Sequence, residues 1–323
     1  MKAIVYSRYG SPEEREYTNV KRPTPKKGEV LVRIKAAAAN RADRYLLEGK
    51  PYLFRLAFGL MRPKYPILGA DIAGVVEDLG EGVTDFNLGD TVYGDLSGVG
   101  NGGYAEFVAV PTEVLAPMPA DLSFVKAAGV PMAGVTALQA LRDRGELKLG
   151  DKVLIYGASG GVGNFAVQLA NILGAEVTAV CSSKNVETAL NSGAHHVVDY
   201  KTTNVLDLNR TYDLILACNG YLPLKDYKRL LKTNGTCVTI GGSLKQIFQT
   251  MFLGAFISVG NKKRFRVLSA KPSTDDLLFL SQKIEEGTLD PFIERQYALE
   301  NVPLLFKDRM QGSAKGKLVV TMG

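Results

Sequence analysis

The sequence predicts an α/β chain of two domains: a compact barrel of short strands and a doubly wound parallel sheet flanked by helices. Three observations carry this. The first 115 or so residues read as short strands broken by Gly and Pro, and from about Asp121 strands alternate with helices of about ten residues. A glycine cluster at 157–163 then joins one such strand to one such helix. A chain of 323 residues also exceeds what one hydrophobic core usually organises, so two domains are expected on length alone.

In the first part, strands are expected at Lys2–Tyr6, Glu29–Ala36, Ile72–Leu79, Thr91–Tyr93 and Tyr104–Val110. Turns fall at Gly80-Glu81-Gly82 and Gly89-Asp90. Such spacing suits a mostly antiparallel barrel or sandwich. One segment breaks it: 51–63 (PYLFRLAFGLMRP) is aromatic, basic and apolar without alternation, and reads as a loop or short helix over a pocket. A helix over Ala127–Leu141 leads into the apolar strand Lys152–Tyr156. The helix Asn164–Leu173, stopped by Gly174, and the strand Glu176–Cys181 follow. The alternation continues with helix 185–192, strands 196–200 and 212–218, helix 223–232, the turn Asn234-Gly235 and strand 236–240. After residue 262 come a strand, a helix over Thr274–Glu286 and a closing strand Lys317–Thr321. The second sheet is already complete, so the tail is expected to rejoin the first domain. This gives domains of 1–121 with 262–323, and of 122–261.

Composition narrows the class. At 46% hydrophobic and 22% charged the chain is a folded globular protein, not a disordered or fibrous one. A net charge of +6, spread over 39 basic and 33 acidic residues, does not make a nucleic-acid-binding surface, and none is expected. No apolar run approaches the roughly 20 residues that span a bilayer, and Met1–Tyr9 reads as a strand, not a secretory signal. The expectation is a cytoplasmic protein without an integral membrane segment. The three cysteines (Cys181, Cys218, Cys237) end or lie within apolar runs, where a thiol behaves as a small hydrophobe.

Ala158-Ser159-Gly160-Gly161-Val162-Gly163 has the form G-x-G-x-x-G with Ala in the first slot. The pattern alone is weak in a chain with 34 Gly, but here it closes a strand and opens a helix within a βαβ unit, the dinucleotide-binding context of a Rossmann domain. A side chain at Gly160 would keep the backbone from a pyrophosphate, and the helix N-terminus offers its N–H groups to the phosphates. The alternative is a tight turn with no ligand.

The chain resembles the zinc-independent quinone-oxidoreductase branch of the medium-chain dehydrogenase/reductase superfamily over nearly its full length. The matching words are AAAAN (36–40), GADIAGVVEDLGEGV (69–83), GDTVYG (89–94), GGYAEFV (102–108), AGVTALQAL (133–141), GASGGVG (157–163) and GKLVV (316–320). DYK (199–201) and CNG (218–220) resemble the chloroplast-envelope quinone oxidoreductase homologues. The resemblance implies a GroES-like catalytic domain, a Rossmann domain and an active-site cleft between them. It implies Asn40 and Thr136 beside the nicotinamide and Tyr52 at the substrate mouth. It also implies Lys184 and Tyr200 near the adenosine phosphate, and Asn219, Gly241 and Gly242 along the cofactor. The family's C-terminal basic contact falls on Lys315 or Lys317, or on nothing.

Zinc-dependent relatives need a Cys near residue 40, a His-Glu pair after the Gly near 69, and four closely spaced Cys. Here those positions read Asn40 and Ala70-Asp71, and residues 1–180 contain no Cys or His. Asp71 and Asp43 alone make no zinc site, and His195-His196 reads as a surface or strand-edge pair. No metal is expected. Without a Lewis acid, conjugated acceptors are favoured, because their reduction spreads charge over an enolate or hydroquinone anion. Tyr52 is the candidate donor to that anion, the alternative being an aromatic wall. Asn40 is the candidate positioning residue, the alternative being a loop residue that satisfies backbone groups.

The cofactor expected is NADPH. NAD-specific Rossmann units place a carboxylate about 20 residues past the glycine loop for the ribose 2′-hydroxyl. The corresponding stretch here, Ala179 to Asn185, has none, and Glu187 falls in the next helix; Ser183 and Lys184 can instead serve a 2′-phosphate. Phe54, Phe58, Leu60 and Met61, with Phe248, Met251, Phe252 and Phe256, offer apolar surface for an aromatic or lipid-derived substrate. For 248–259 the competing readings are a homodimer interface at the Rossmann sheet edge and a peripheral membrane contact beside Lys262, Lys263 and Arg264. The function expected is NADPH-dependent reduction of α,β-unsaturated carbonyls or quinones. Its rival is a non-catalytic NADPH-binding protein with a redox-sensing, structural or RNA-binding role.

Overall fold

A computed structural model describes the chain except residues 13–14, 51, 53–54, 220–221, 242–243, 259–261 and 311–315; of residues 57, 244–245, 253, 255–258 and 310 only the backbone is described. It opens with β1 (Lys2–Val5), β2 (Glu16–Asn19), β3 (Glu29–Ala39), α1 (Arg41–Glu48) and α2 (Arg55–Phe58). Next come β4 (Asp71–Leu79), β5 (Thr91–Asp95), β6 (Phe107–Pro111), β7 (Leu115–Pro117), α3 (Phe124–Ala128) and α4 (Pro131–Gln139). The alternating part comprises β8 (Lys152–Tyr156), α5 (Gly161–Ile172), β9 (Glu176–Cys181), α6 (Val186–Asn191), β10 (His196–Asp199), β11 (Tyr212–Ala217), α7 (Leu224–Leu230), β12 (Leu231–Thr239), α8 (Leu244–Ser258) and β13 (Arg264–Val267). The chain closes with α9 (Thr274–Glu285), β14 (Ile293–Ala298), α10 (Val302–Met310) and β15 (Lys317–Thr321).

The chain folds into two compact units, Met1–Met132 with Pro272–Gly323, and Ala133–Lys271. Both divisions lie further along than 121/122 and 261/262. The reasons are local: α3 packs on β3, β4 and β15, while β13 extends the second sheet in parallel register with β12, Thr236 opposite Arg264. A continuous helix over 127–141 does not form either. Gly129 ends α3, Pro131 opens α4, and five π-helical residues, Ala140–Arg144, follow. Pro is suited to a first helical turn and disfavours helix at the residue before it.

In the first unit the strand order is β14-β15-β3-β4-β5-β7, with β6 also on β3. Every pair is antiparallel except β14 with β15. The eleven-residue β3 is the spine. Its terminal Ala36–Ala39 run is buried throughout and paired on both sides, by β15 and by β4. The core gathers Val30, Val32, Ile34, Ile72, Leu96, Tyr104, Phe306 and Leu318. Buried Tyr93 ties α9 to this unit, its hydroxyl lying 2.9 Å from Leu277 O and 2.7 Å from Ser281 Oγ.

The second unit is a six-stranded parallel sheet in the order β10-β9-β8-β11-β12-β13. Numbered from β8, that is the 3-2-1-4-5-6 order of the Rossmann fold. The strand order reverses between β8 and β11, where such folds bind their ligands outside the carboxyl ends of the strands. Of residues 248–259, the described 248–258 are helical and form no sheet edge. The described part continues α8, whose backbone passes Phe265 of β13 at Gly254. No helix among the described residues is long and apolar enough to cross a membrane.

Candidate active site

The glycine loop leaves β8 at the strand-order reversal. Gly157 has φ +88° and lies so close to Asn219, beyond β11, that a Cβ there would stand 2.8 Å from the Asn219 Cβ. A Cβ on Gly163 would meet Gly157 O at 2.2 Å. Both glycines are therefore demanded by the fold itself. Gly160 is different: a Cβ there would meet only Gly157 O, at an ordinary 3.6 Å. Among the described residues nothing forbids a side chain at Gly160, and the bare surface it leaves can take an external group. It is also the N-cap of α5, with no side-chain cap and no acidic residue in the first turn. Buried Ala158 and half-buried Ser159 precede it, and Gly161, Val162 and Gly163 form the first turn. A pyrophosphate fits this cradle on steric and electrostatic grounds.

Ser183 and Lys184 lie exposed in a short 3-10 turn after β9. Tyr200, also exposed, follows β10, its N–H donating to Cys181 O. A pocket of about 270 Å³ opens here, walled by Val180 and Leu222 and lined by Tyr200, Lys201, Thr203 and Asn204. One neighbour was missed by counting along β9. Asp199 ends β10 opposite Cys181, and Ser183 donates to it through hydroxyl and backbone N–H. Ser183 first, and then the Lys201 N–H at 3.0 Å, hold the Asp199 carboxyl below its ordinary range. Its only signal in the sequence was the DYK word. Gly241 follows β12 with its N–H on Ala217 O, Thr136 is buried in α4, and Gly242 lies outside the described residues.

In the first unit, Asn40 stands between β3 and α1 as the helix N-cap. Its N–H donates to Asp43 Oδ2 at 2.7 Å, one half of a capping box. Its carboxamide is held at both ends. Lys317 Nζ donates to Asn40 Oδ1 at 2.7 Å and to Asp71 Oδ2 at 2.9 Å, and Asn40 Nδ2 donates to the same Asp71 oxygen at 3.0 Å. Asp71 Oδ1 accepts the Met132 N–H at the start of α4, the helix that carries Thr136. Lys317 is 3% exposed and Asp71 0%. Lys317 is therefore spent inside this unit and does not present the outward basic contact that one reading of the sequence gave it; Lys315 lies outside the described residues.

Further acids surround the cluster. Burial, against the opposing Asn40 N–H bond, pushes the Asp43 carboxyl up to about 6, and its Oδ1 has no partner among the described residues. Burial, reinforced by Asp71, does the same to Asp95, also to about 6. Tyr52 is 67% exposed, and its ring faces the Arg55 guanidinium at 4.9 Å. Arg55 also faces Tyr9 at 4.4 Å, and its Nε donates to Gly49 O. His195 and His196 bind separately to β9, through the Val177 N–H and Glu176. No three His, Cys, Asp or Glu side chains among the described residues group as metal ligands.

Comparison with known proteins matches residues 26–120 to the alcohol dehydrogenase GroES-like domain and 192–320 to the zinc-binding dehydrogenase family. The chloroplast envelope quinone oxidoreductase homolog of Arabidopsis thaliana is 33% identical, over 99% of this chain and 98% of its own. The chain belongs to the quinone-oxidoreductase branch of the medium-chain dehydrogenase/reductase superfamily. A chloroplastic quinone-oxidoreductase of Triphysaria versicolor is 32% identical over the same shares. The solved quinone oxidoreductase of Coxiella burnetii superposes with a TM-score of 0.88 at 28% identity, over 99% of both chains. As a member of this branch the chain is an NAD(P)H-dependent oxidoreductase. The loop around Gly160 is where its residues fit the nicotinamide cofactor's pyrophosphate.

Proposed function

We propose that this oxidoreductase uses NADPH to reduce α,β-unsaturated carbonyls or quinones, without a catalytic metal. The supporting observation is the Lys317 cluster. At the positions where zinc-dependent relatives carry ligands, Asn40 Oδ1 and Asp71 Oδ2 already serve a buried ammonium. A divalent cation at those oxygens would share them with a positive charge in a low-dielectric interior. The bound nicotinamide supplies the hydride. The α5 N-terminus holds the pyrophosphate, Lys184 and Tyr200 meet the 2′-phosphate, and the exposed Tyr52 hydroxyl donates to the oxygen on which charge develops. Quinone acceptors also accord with the names of the relatives.

One observation favours NADH instead: Asp199 engages Ser183 and adds a carboxylate where a 2′-phosphate would lie. Against it stand Lys201, whose N–H and charge face Asp199, and Lys184 in the same short turn as Ser183, and the proposal stands on that balance. We infer also a homodimer that covers the exposed apolar face of α8.

The test follows NADPH absorbance with a panel of enones, quinones, saturated ketones and simple aldehydes, with and without chelator. Conjugated acceptors are expected to react much faster and to be indifferent to chelator, and Tyr52→Phe to slow them about tenfold. Equal rates on saturated ketones, or loss of activity in chelator, would overturn the proposal.

A further inference from the structure

The chemistry of its partners fixes which way Asn40 points. An ammonium only donates hydrogen bonds and a carboxylate only accepts them. Lys317 Nζ at 2.7 Å therefore requires the carboxamide oxygen on its side, and Asp71 Oδ2 at 3.0 Å requires the nitrogen on the other. The alternative amide orientation would set N–H against N–H and O against O in a buried site. Lys317 reaches this place from β15, whose Leu318 pairs with Ala39 in antiparallel register, next to Asn40. Lys317, Asp71 and Asn40 are 3%, 0% and 6% exposed, so water does not compete for these bonds. Asp71 is held in turn by the Met132 N–H at 3.0 Å.

One consequence is specific. The Asn40 oxygen is committed to Lys317, and one Nδ2 hydrogen to Asp71. The second Nδ2 hydrogen has no acceptor among the described residues. Whatever Asn40 meets in a bound ligand, it meets as a donor.

We propose that Lys317 is a positioning residue which, with Asp71, makes Asn40 a one-way hydrogen-bond donor, so that its partner in the bound complex is an acceptor oxygen. That oxygen is a carboxamide oxygen of the nicotinamide or the carbonyl oxygen of the acceptor; both present the same chemistry. This rests on the proposed reduction and on Asn40 standing beside the nicotinamide, as the family resemblance implies. Lys317 touches neither cofactor nor substrate and acts through Asn40 alone.

Two variants test it. Asn40→Asp keeps a good N-cap and an acceptor for Lys317, but has no outward donor. If ionised, its carboxylate only accepts; if protonated, its one O–H is taken by Asp71. Lys317→Met with Asp71→Asn removes both buried charges together, leaving no unpaired ion, and frees the Asn40 oxygen. Three readouts are taken: melting of the ligand-free protein, the Asn40 side-chain amide signals in its ¹H–¹⁵N spectrum, and single-turnover hydride transfer from NADPH to an enone alongside KM.

The expected result for Asn40→Asp is cooperative melting near wild type with hydride transfer slowed at least tenfold. For the double variant, the Asn40 amide signals move toward those of a freely rotating carboxamide. Hydride transfer slows at least fivefold while KM for the acceptor stays within about twofold. Asn40→Asp retaining the wild-type rate would overturn the proposal, as would Asn40 amide signals unchanged in the double variant. Should the double variant fail to fold, Asn40→Asp decides alone. A wild-type protein that reduces no enone or quinone sinks the proposed function instead, and the amide spectra of the ligand-free variants still decide whether Lys317 orients Asn40.

Discussion

At the scale of single residues, the acids buried in the first unit carry a measurable cost, and Asp95 shows it. Asp95 accepts from the Ser97 N–H at 2.8 Å and from the Ser97 side chain, yet its carboxyl is pushed up to about 6 by burial and by Asp71. The folded chain thus holds the Asp95 proton over a range in which the unfolded chain has already released it. Its contribution to stability is fully present below the unfolded value near 4 and is lost as pH rises through about 6. Asn at this position mimics the protonated acid. Asp95→Asn is therefore expected to match wild type in urea unfolding at pH 4.5 and to be more stable at pH 8 by on the order of 2–3 kcal/mol. No gain at pH 8 would show that Asp95 is not held protonated by burial. A second expectation concerns the proposed contact of Lys184 with a 2′-phosphate. Lys184→Ala should weaken NADPH by about 1.5–3 kcal/mol, the scale of a charged hydrogen bond, and leave NADH nearly unchanged. Binding titrations showing equal losses, or a wild-type preference for NADH, would assign the site to Asp199 and the 2′-hydroxyl.

Among the elements, the glycine loop separates two kinds of requirement that look identical as letters. Gly163 is required by the fold, since its Cβ would stand 2.2 Å from Gly157 O, a backbone atom that cannot swing away. Gly160 meets no such obstacle, and its φ of −76° suits any residue. Gly163→Ala is expected to cost about 2–3 kcal/mol of stability, the scale of overpacking against rigid neighbours. Gly160→Ala should change stability by less than about 1 kcal/mol yet weaken NADPH at least tenfold. Thermal melts with and without cofactor read both, and equal destabilisation by the two would refute the distinction. The loop was legible in the sequence because its constraints are local: strand end, glycines and helix start lie within a dozen residues. Asp199 and Lys317 were not legible as partners. Asp199 reaches Ser183 through the parallel pairing of β10 with β9, and Lys317 reaches Asn40 across 277 residues through the pairing of β15 with β3. No pattern within a window of the chain encodes a register between distant strands.

Across the whole molecule, alternating strand and helix signals read the Rossmann unit correctly because each βαβ step is self-contained. The divisions were misplaced because the chain crosses between units at positions set by packing partners, not by composition. The run 248–259 shows the same limit. Apolar content marked it as a surface needing cover, but not its conformation, and the described part is helical. On α8, Phe248, Met251 and Phe252 are 45%, 54% and 63% exposed, and the two phenyl rings stack at 6.2 Å. Positions 248, 251 and 252 share one helical face, so the three side chains make a contiguous apolar patch, unlike the scattered single residues that protein surfaces tolerate. The neighbouring edge strand β13 is an unsuitable cover for another sheet, since Arg264 and Arg266 on it are tied to Glu146 at 2.7 and 2.6 Å. A second copy of the chain, offering the same patch about a two-fold axis, satisfies both requirements without pairing strands. Sedimentation is accordingly expected to show a dimer at micromolar concentration, and Phe248→Ser with Phe252→Ser to shift it toward monomer while leaving the melting of the isolated chain nearly unchanged. A wild-type monomer at that concentration would rule the dimer out, and a variant that remains dimeric would place the interface elsewhere.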